Sequence, residues 1–166
     1  MCIRDRLDMS ELQTVSRDET IAVDALVDEV LVDLEPLAQE KEIKLIGNCK
    51  DTTMVGSDIL IYRMVYNLVE NAIKYNHFGG QVTVTAYRSG KNICLSVEDT
   101  GSGIPAELKE RIFEPFFRVD KSRSRQLGGV GLGLALVREI VRVHDGRITV
   151  QSSPSGGTIF EVVFTQ

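Results

Sequence analysis

Three residues with the types and spacing for phosphate and metal chemistry lie close together. Asn67, Asn71 and Lys74 stand at i, i+4 and i+7, so on a helix they share one face. An amide oxygen is a hard ligand that suits Mg²⁺, and an ammonium meets phosphate as a point charge. An ordinary solvated helix face is the competing reading. Further along comes Asp99-Thr100-Gly101-Ser102-Gly103-Ile104-Pro105. A carboxylate at a strand end can accept from an exocyclic amine such as that of adenine, and glycines let backbone approach a flat ring. The same residue types also make a plain turn. Gly129-Val130-Gly131-Leu132-Gly133-Leu134 leads into a predicted helix, whose first N–H groups can face phosphates. It fits neither a dinucleotide fingerprint nor a Walker loop, and a hinge is the alternative. Between these motifs, Phe113, Phe116 and Phe117 precede Arg118, Lys121, Arg123 and Arg125. That order reads as a lid with aromatic anchors and phosphate-facing cations, or as an anchored solvated loop.

Periodic segments must position these groups. Val23, Leu26, Val27, Val30, Leu31, Leu34, Leu37 and Ala38 recur at helical spacing, with acids opposite and Pro36 expected to bend the helix. Residues 42–46 alternate as a short strand. Gly56-Ser57-Asp58 supplies a turn and an N-cap for a second helix, whose stripe is Leu60, Ile61, Met64, Val65, Leu68, Val69, Ala72 and Ile73. Two strands follow, over 81–88 and 93–97, joined by a turn. Residues 99–133 lose the period and hold six glycines, with only 105–112 reading as helical; so long a loop in a compact domain is usually functional. A third helix is predicted over 132–143, then strands over 147–152 and 158–164. The expected fold is α/β (α+β): a two-layer sandwich with a mixed, mostly antiparallel sheet of about five strands and three helices on one face. Residues 1–20 read as a tail, with 7–17 resembling the end of a helix that starts upstream, and 21–166 as the domain.

Composition narrows the function. The 166 residues are 43% hydrophobic and 26% charged, with a net charge of −5. That suits one soluble globular domain and argues against broad nucleic-acid binding, which usually needs a basic domain. No apolar run reaches membrane-spanning length, so no membrane contact by this segment is expected. Cys2, Cys49 and Cys94 are far apart, which excludes a disulfide framework or zinc site and favours a cytoplasmic location.

Taken in order, Asn67-Leu-Val-Glu-Asn-Ala-Ile-Lys-Tyr-Asn76, Asp-Thr-Gly-Ser-Gly-Ile-Pro, Phe-Glu-Pro-Phe-Phe-Arg, Gly-Val-Gly-Leu-Gly-Leu and Gly156-Gly157-Thr158 closely resemble the N, G1, F, G2 and G3 boxes of bacterial sensor histidine kinase catalytic domains. The resemblance implies the Bergerat ATP-binding fold shared with gyrase, Hsp90 and MutL, with ATP and Mg²⁺ as ligands. It implies Mg²⁺ on Asn71 with support from Asn67, and phosphate contact by Lys74. Tyr75 and Ile104 would flank adenine. Asp99 would accept from the adenine amine, with Gly101 and Gly103 shaping the pocket. Gly129, Gly131, Leu132 and Gly133 would line the triphosphate. Thr158 would close the third glycine box, and Arg118 and Lys121 would reach in from the lid.

Two features refine the reading. Gyrase-type relatives carry a water-activating glutamate where this chain has Asn67, a neutral amide, and Glu70 points about 60° away. Fast hydrolysis is therefore not expected, and transfer to a protein nucleophile is. The family's phosphoacceptor histidine motif does not occur in the sequence; His77 and His144 sit among turn residues and at a helix end, where a histidine commonly caps the dipole. The implied partners are the parent's own dimerisation and phosphoacceptor domain and a response regulator receiver domain, with the isolated domain monomeric. The rivals are a stand-alone serine kinase of the anti-sigma-factor type, a non-catalytic nucleotide-sensing module, and, disfavoured by Asn67, a gyrase-type ATPase.

Overall fold

The computed structural model describes residues 16–109, 111–114 and 133–166. Its elements run β1 (Glu19–Ala22), α1 (Val23–Glu40), β2 (Lys44–Cys49), β3 (Thr53–Gly56), α2 (Asp58–Lys74), β4 (Gln81–Ser89), β5 (Asn92–Asp99), α3 (Gly133–Val143), β6 (Gly146–Ser152) and β7 (Thr158–Thr165).

α2 starts where the sequence places it. The Ser57 side-chain oxygen accepts from the Leu60 N–H at 3.3 Å, capping an orphan donor. Asp58 in the first turn and Lys74 in the last complement the helix dipole. Its whole predicted stripe, Leu60 to Ile73, is buried. In α1 the helix continues through Pro36 to Glu40. Val23, Leu26, Val27, Val30, Leu34 and Ala38 are buried, while Leu31 and Leu37 lie at the margin of the core.

The main sheet has the order β2-β4-β5-β7-β6. β2 runs parallel to β4, and every other neighbouring pair is antiparallel. Register aligns Val84, Val97, Phe160 and Val150 in one row across four strands. The next row is Ala86, Leu95, Val162 and Ile148. Val82, Val84, Ile93, Leu95, Val97, Phe160, Val162 and Phe164 form one core with the apolar faces of the three helices. This is the expected mixed sheet with helices packed on one face.

Two features differ from the sequence reading. β1 and β3 form a separate antiparallel ribbon, with Glu19 opposite Gly56 and Ala22 opposite Thr53; at four residues each, they are too short for an alternation signal. The helix expected over 105–112 is instead two single 3₁₀ turns, Ala106–Leu108 and Arg111–Phe113. Leu108 N–H donates to the Pro105 carbonyl and Glu114 N–H to that of Arg111, both at 2.9 Å, the three-residue spacing of a tighter helix. The second turn seats buried Phe113 edge-on against Phe160, ring centroids 6.2 Å apart.

α2 and α3 are tied at one end by His144. Ser57 N–H donates to its Nε2 at 3.0 Å, so Nε2 must accept. Nδ1, 2.8 Å from the Ile140 carbonyl, then carries the proton and donates. Only the neutral ring satisfies both partners. The ring does cap its helix, but uncharged, unlike the charged dipole cap that is common at helix ends. Burial lowers its pKa first of all and nearby Arg17 adds to this, against the opposing pull of the Ile140 carbonyl and Asp145. A folded-state pKa below the unfolded value of about 6.5 means that this stabilisation is present above that value. It is lost as pH falls through the lower folded value. The urea midpoint is expected to fall between pH 7 and pH 5. His144→Gln should be less stable at pH 7 and show a shallower decline, and equal slopes in the two titrations would refute the neutral clamp.

Candidate nucleotide site

The site gathers at the end of β5, where Asp99 closes the strand opposite Val82. Asp99 is only 8% exposed. Its Oδ1 accepts from the Gly101 N–H at 2.8 Å and from the Thr158 N–H at 3.3 Å. Oδ2 has no hydrogen bond among the described residues. Burial pushes the carboxyl above the usual carboxylate range, while the two backbone N–H groups pull it back. A carboxylate buried at this cost, with one oxygen held from behind and the other unengaged, is built to accept from a ligand.

Backbone closes tightly around it. A Cβ on Gly101 would stand 2.6 Å from the Tyr75 carbonyl oxygen, and one on Gly157 would stand 2.0 Å from the carbonyl oxygen of Asp99. Gly103 adopts φ +77°, and a Cβ there would meet the Gly156 carbonyl at 2.7 Å. The three glycines thus let the 99–105 segment lie directly on the turn before β7. Gly157→Ala is expected to lower stability by about 1–3 kcal/mol, the usual cost of overpacking, because its neighbour is backbone and cannot swing aside. Urea denaturation measures this, and an unchanged midpoint would show that the contact is not tight.

A polar knot fixes the end of α2 to this corner. Asn76, 1% exposed, donates through Nδ2 to the Gln81 carbonyl at 3.1 Å. Its Oδ1 accepts from the His77 N–H at 2.9 Å and the Thr100 hydroxyl at 3.2 Å. Thr100 Oγ1 in turn accepts from the Gln81 N–H at 2.9 Å. The sequence reading assigned no role to Asn76, Thr100 or Gly157; an Asn two residues past a helix end, followed by Gly79-Gly80, is the only local sign of such a knot.

Asn67, Asn71 and Lys74 all lie on α2. Asn67 is buried, and its amide donates to the Gly133 carbonyl at 3.5 Å, linking α2 to the start of α3. Asn71 is half-buried one turn later. Lys74 lies 3.8 Å from Glu70 in a partly exposed pair. Such pairs contribute little, so the ammonium can exchange its partner for a phosphate. Tyr75 is the C-cap of α2, and Ile104 is partly buried against the core. Asn67, Asn71, Lys74, Tyr75, Asp99, Gly101, Gly103, Ile104, Gly133 and Thr158 all fall within the described residues. Arg118, Lys121, Gly129, Gly131 and Leu132, with the expected lid, lie outside them.

The residues fit an adenine nucleotide better than a preformed metal cage. Among the described residues no three carboxylate, imidazole or thiol groups converge on one point. The amide of Asn71 is the kind of oxygen ligand that Mg²⁺ accepts beside phosphate and water. No helix among the described residues is long and apolar enough to cross a membrane.

Residues 56–166 match the family described as histidine kinase-, DNA gyrase B-, and HSP90-like ATPase. The chain is similar to the sensor-like histidine kinase SenX3 of Mycobacterium tuberculosis, 38% identical over 162 residues, covering 95% of this chain and 40% of that protein. It thus spans about 40% of the length of this curated relative. Among solved structures, the nucleotide-free catalytic domain of histidine kinase ThkA superposes with a TM-score of 0.80 at 27% identity, covering 90% of this chain and 96% of that one. ThkA in complex with the response regulator protein TrrA aligns with a TM-score of 0.75 at 26% identity, over 89% of this chain and 41% of that one.

Proposed function

The chain belongs to the histidine kinase-, DNA gyrase B- and HSP90-like ATPases, and on that premise we propose that it binds ATP with Mg²⁺ and serves as the catalytic domain of a sensor histidine kinase. The observation that carries this reading is the buried Asp99, held through Oδ1 by Gly101 and Thr158 with Oδ2 unengaged. An adenine amine is a donor from which such an oxygen accepts, and Gly101, Gly103 and Gly157 let backbone pack closely around it.

Each residue then has a task. Asp99 selects adenine by its amine. Tyr75 and Ile104 bound the ring. Lys74 leaves Glu70 to meet phosphate, and Asn71 presents an amide oxygen to the metal. When bound, Mg²⁺ would supply positive charge that neutralises the phosphates. Asn67 lends no base, since its amide is neutral and its nitrogen is turned to Gly133. Water is therefore not activated from this position, and the γ-phosphoryl group is kept for a histidine on the parent's dimerisation domain. From there it would pass to an aspartate of a response regulator. Catalysis by this domain is positioning and charge neutralisation. Titration calorimetry with Mg·ADP is expected to give a dissociation constant between about 1 μM and 1 mM, or roughly −8 to −4 kcal/mol. Absence of heat and of any Tm shift at millimolar Mg·ADP would overturn the reading.

A further inference from the structure

We propose that Lys41 is a positioning residue for the nucleotide site: its ammonium holds the C-terminal turn of α2, from which Lys74 and Tyr75 project and on which Gly101 packs. The inference rests on the nucleotide reading of that site. Lys41 is far from it in sequence, at the C-cap of α1, and sequence spacing gives it no task.

The last carbonyls of a helix lack intrahelical donors and carry the negative end of its dipole. In α2 those carbonyls converge on one cation. Lys41 Nζ donates to the carbonyl of Lys74 at 2.7 Å, of Asn76 at 3.0 Å and of Ile73 at 3.4 Å. An ammonium has three donors and no acceptor, which suits a cluster of carbonyls. Backbone bonds set the lysine in place: Gly79 N–H donates to the Lys41 carbonyl at 2.9 Å, and Lys44 N–H donates to that of Gly80 at 3.0 Å. The α1–β2 turn therefore grips the α2–β4 turn through both side-chain and backbone bonds.

The gripped turn is the part of α2 that the site depends on. It carries the side chains of Lys74 and Tyr75. The Tyr75 carbonyl oxygen lies so near Gly101 that a Cβ there would stand 2.6 Å away, and Gly101 N–H is what holds Asp99 Oδ1. A chain of direct contacts thus runs from Lys41 to Lys74 and Asn76, through Tyr75 to Gly101, and so to Asp99. Without the cation, the 74–76 turn must find water or shift, and small shifts in positioning groups are costly to a site.

The test compares Mg·ADP affinity with stability in the whole chain. Lys41→Met keeps length and removes charge and donors, Lys41→Arg restores a cation with donors, and Val30→Ala, in the core of α1 and fully buried, lowers stability without touching the turn. Removing partners that orient ligating groups commonly costs about 10- to 100-fold in affinity, and Lys41→Met is expected near the lower end, about tenfold. Calorimetry is run well below the Tm of every variant. Lys41→Arg should recover most of the affinity, and Val30→Ala should bind as wild type despite a lower Tm. If Lys41→Met does not fold, Lys41→Gln, which keeps a donor but no charge, takes its place and is expected to lose affinity in the same direction. Wild-type affinity in the folded neutral variant, or an equal loss in Val30→Ala, would reduce Lys41 to a structural cap and overturn the proposal while leaving the site reading intact. Failure of the wild type itself to bind Mg·ADP would instead overturn both.

Discussion

Asp99→Asn is expected to weaken Mg·ADP binding by about 10- to 100-fold, the range given by losing a hydrogen bond to a charged group worth about 1.5–3 kcal/mol, while leaving thermal stability unchanged or raised. The two halves of this result come from the same geometry. Both oxygens of Asp99 are needed as acceptors: Oδ1 faces the N–H groups of Gly101 and Thr158, and Oδ2 is the oxygen proposed for the adenine amine. An amide offers one acceptor and one double donor. If its oxygen stays inward, its NH₂ meets the adenine amine, donor against donor. If it turns outward, the NH₂ meets two backbone N–H groups. Binding is damaged in either orientation. Stability follows the opposite logic. Burial raises the Asp99 carboxyl above its ordinary value. Such a group favours the folded state at low pH, where it is protonated, and disfavours it as pH rises and it ionises. A neutral amide with its oxygen inward removes that neutral-pH cost. Calorimetry and a thermal melt on the same sample separate the outcomes. Lost affinity with a matching loss of Tm would make Asp99 structural, and retained affinity would remove it from an adenine pocket.

What the sequence made legible, and what it did not, divides along a physical line. The α2 stripe from Leu60 to Ile73 was plain because every apolar position is buried in one core, so periodicity and packing agree. Asn67, Asn71 and Lys74 share a face by the same helical spacing, at the border of the buried stripe, where Asn67 is itself buried and bonded to Gly133. β4, β5 and β7 could be read because each presents one face to the helices, as in the burial alternation of Asn92–Asp99. Failures came where contacts are non-local. β1 and β3 pair with each other over only four residues apiece, too few for alternation to mark them. The 105–112 segment had helical composition, yet Phe113 must reach Phe160, and two tight turns resulted. Strand order, with β2 parallel to β4 at the edge, is a matter of chain crossing that spacing does not encode. Lys41 and Gly157 act on backbone atoms more than 30 residues away. Residue type alone marks a glycine as permissive and a lysine as charged, and says nothing about which carbonyl each will meet.

The chain alone is expected to bind ATP yet neither label itself nor turn ATP over appreciably, and Asn71→Ala is expected to abolish transfer to a phosphoacceptor hairpin supplied in trans. Self-labelling needs a histidine that can attack in line. His144 cannot serve, because Ser57 and Ile140 engage both nitrogens of its half-buried ring. His77 is exposed, with its Nδ1 3.3 Å from the carbonyl of its own neighbour Phe78, and no hydrogen bond joins its ring to a base among the described residues. Hydrolysis needs a base for water, and Asn67 supplies an amide turned toward Gly133. Positioned acid–base help is typically worth about 10²- to 10⁴-fold in rate, and that help is missing for both reactions. With the hairpin present, its histidine forms the N–P bond as the bond from γ-phosphorus to the β-phosphate oxygen breaks and ADP leaves. Asn71 then matters through charge. Its oxygen is the amide on the α2 face proposed to hold the ion that neutralises the phosphates, and removing one such preorganised group usually costs about 10²- to 10³-fold. The assay is radiolabelled ATP with the purified chain, with and without the hairpin, scored as acid-labile, alkali-stable phosphate on the hairpin. Asn67→Glu, which restores a carboxylate where gyrase-type enzymes carry their base, should raise free phosphate release slightly while transfer to the hairpin falls. Rapid self-labelling at His77 or His144, or brisk phosphate release by the unaltered chain, would contradict the kinase reading and favour an ATPase or a self-sufficient kinase on the same fold.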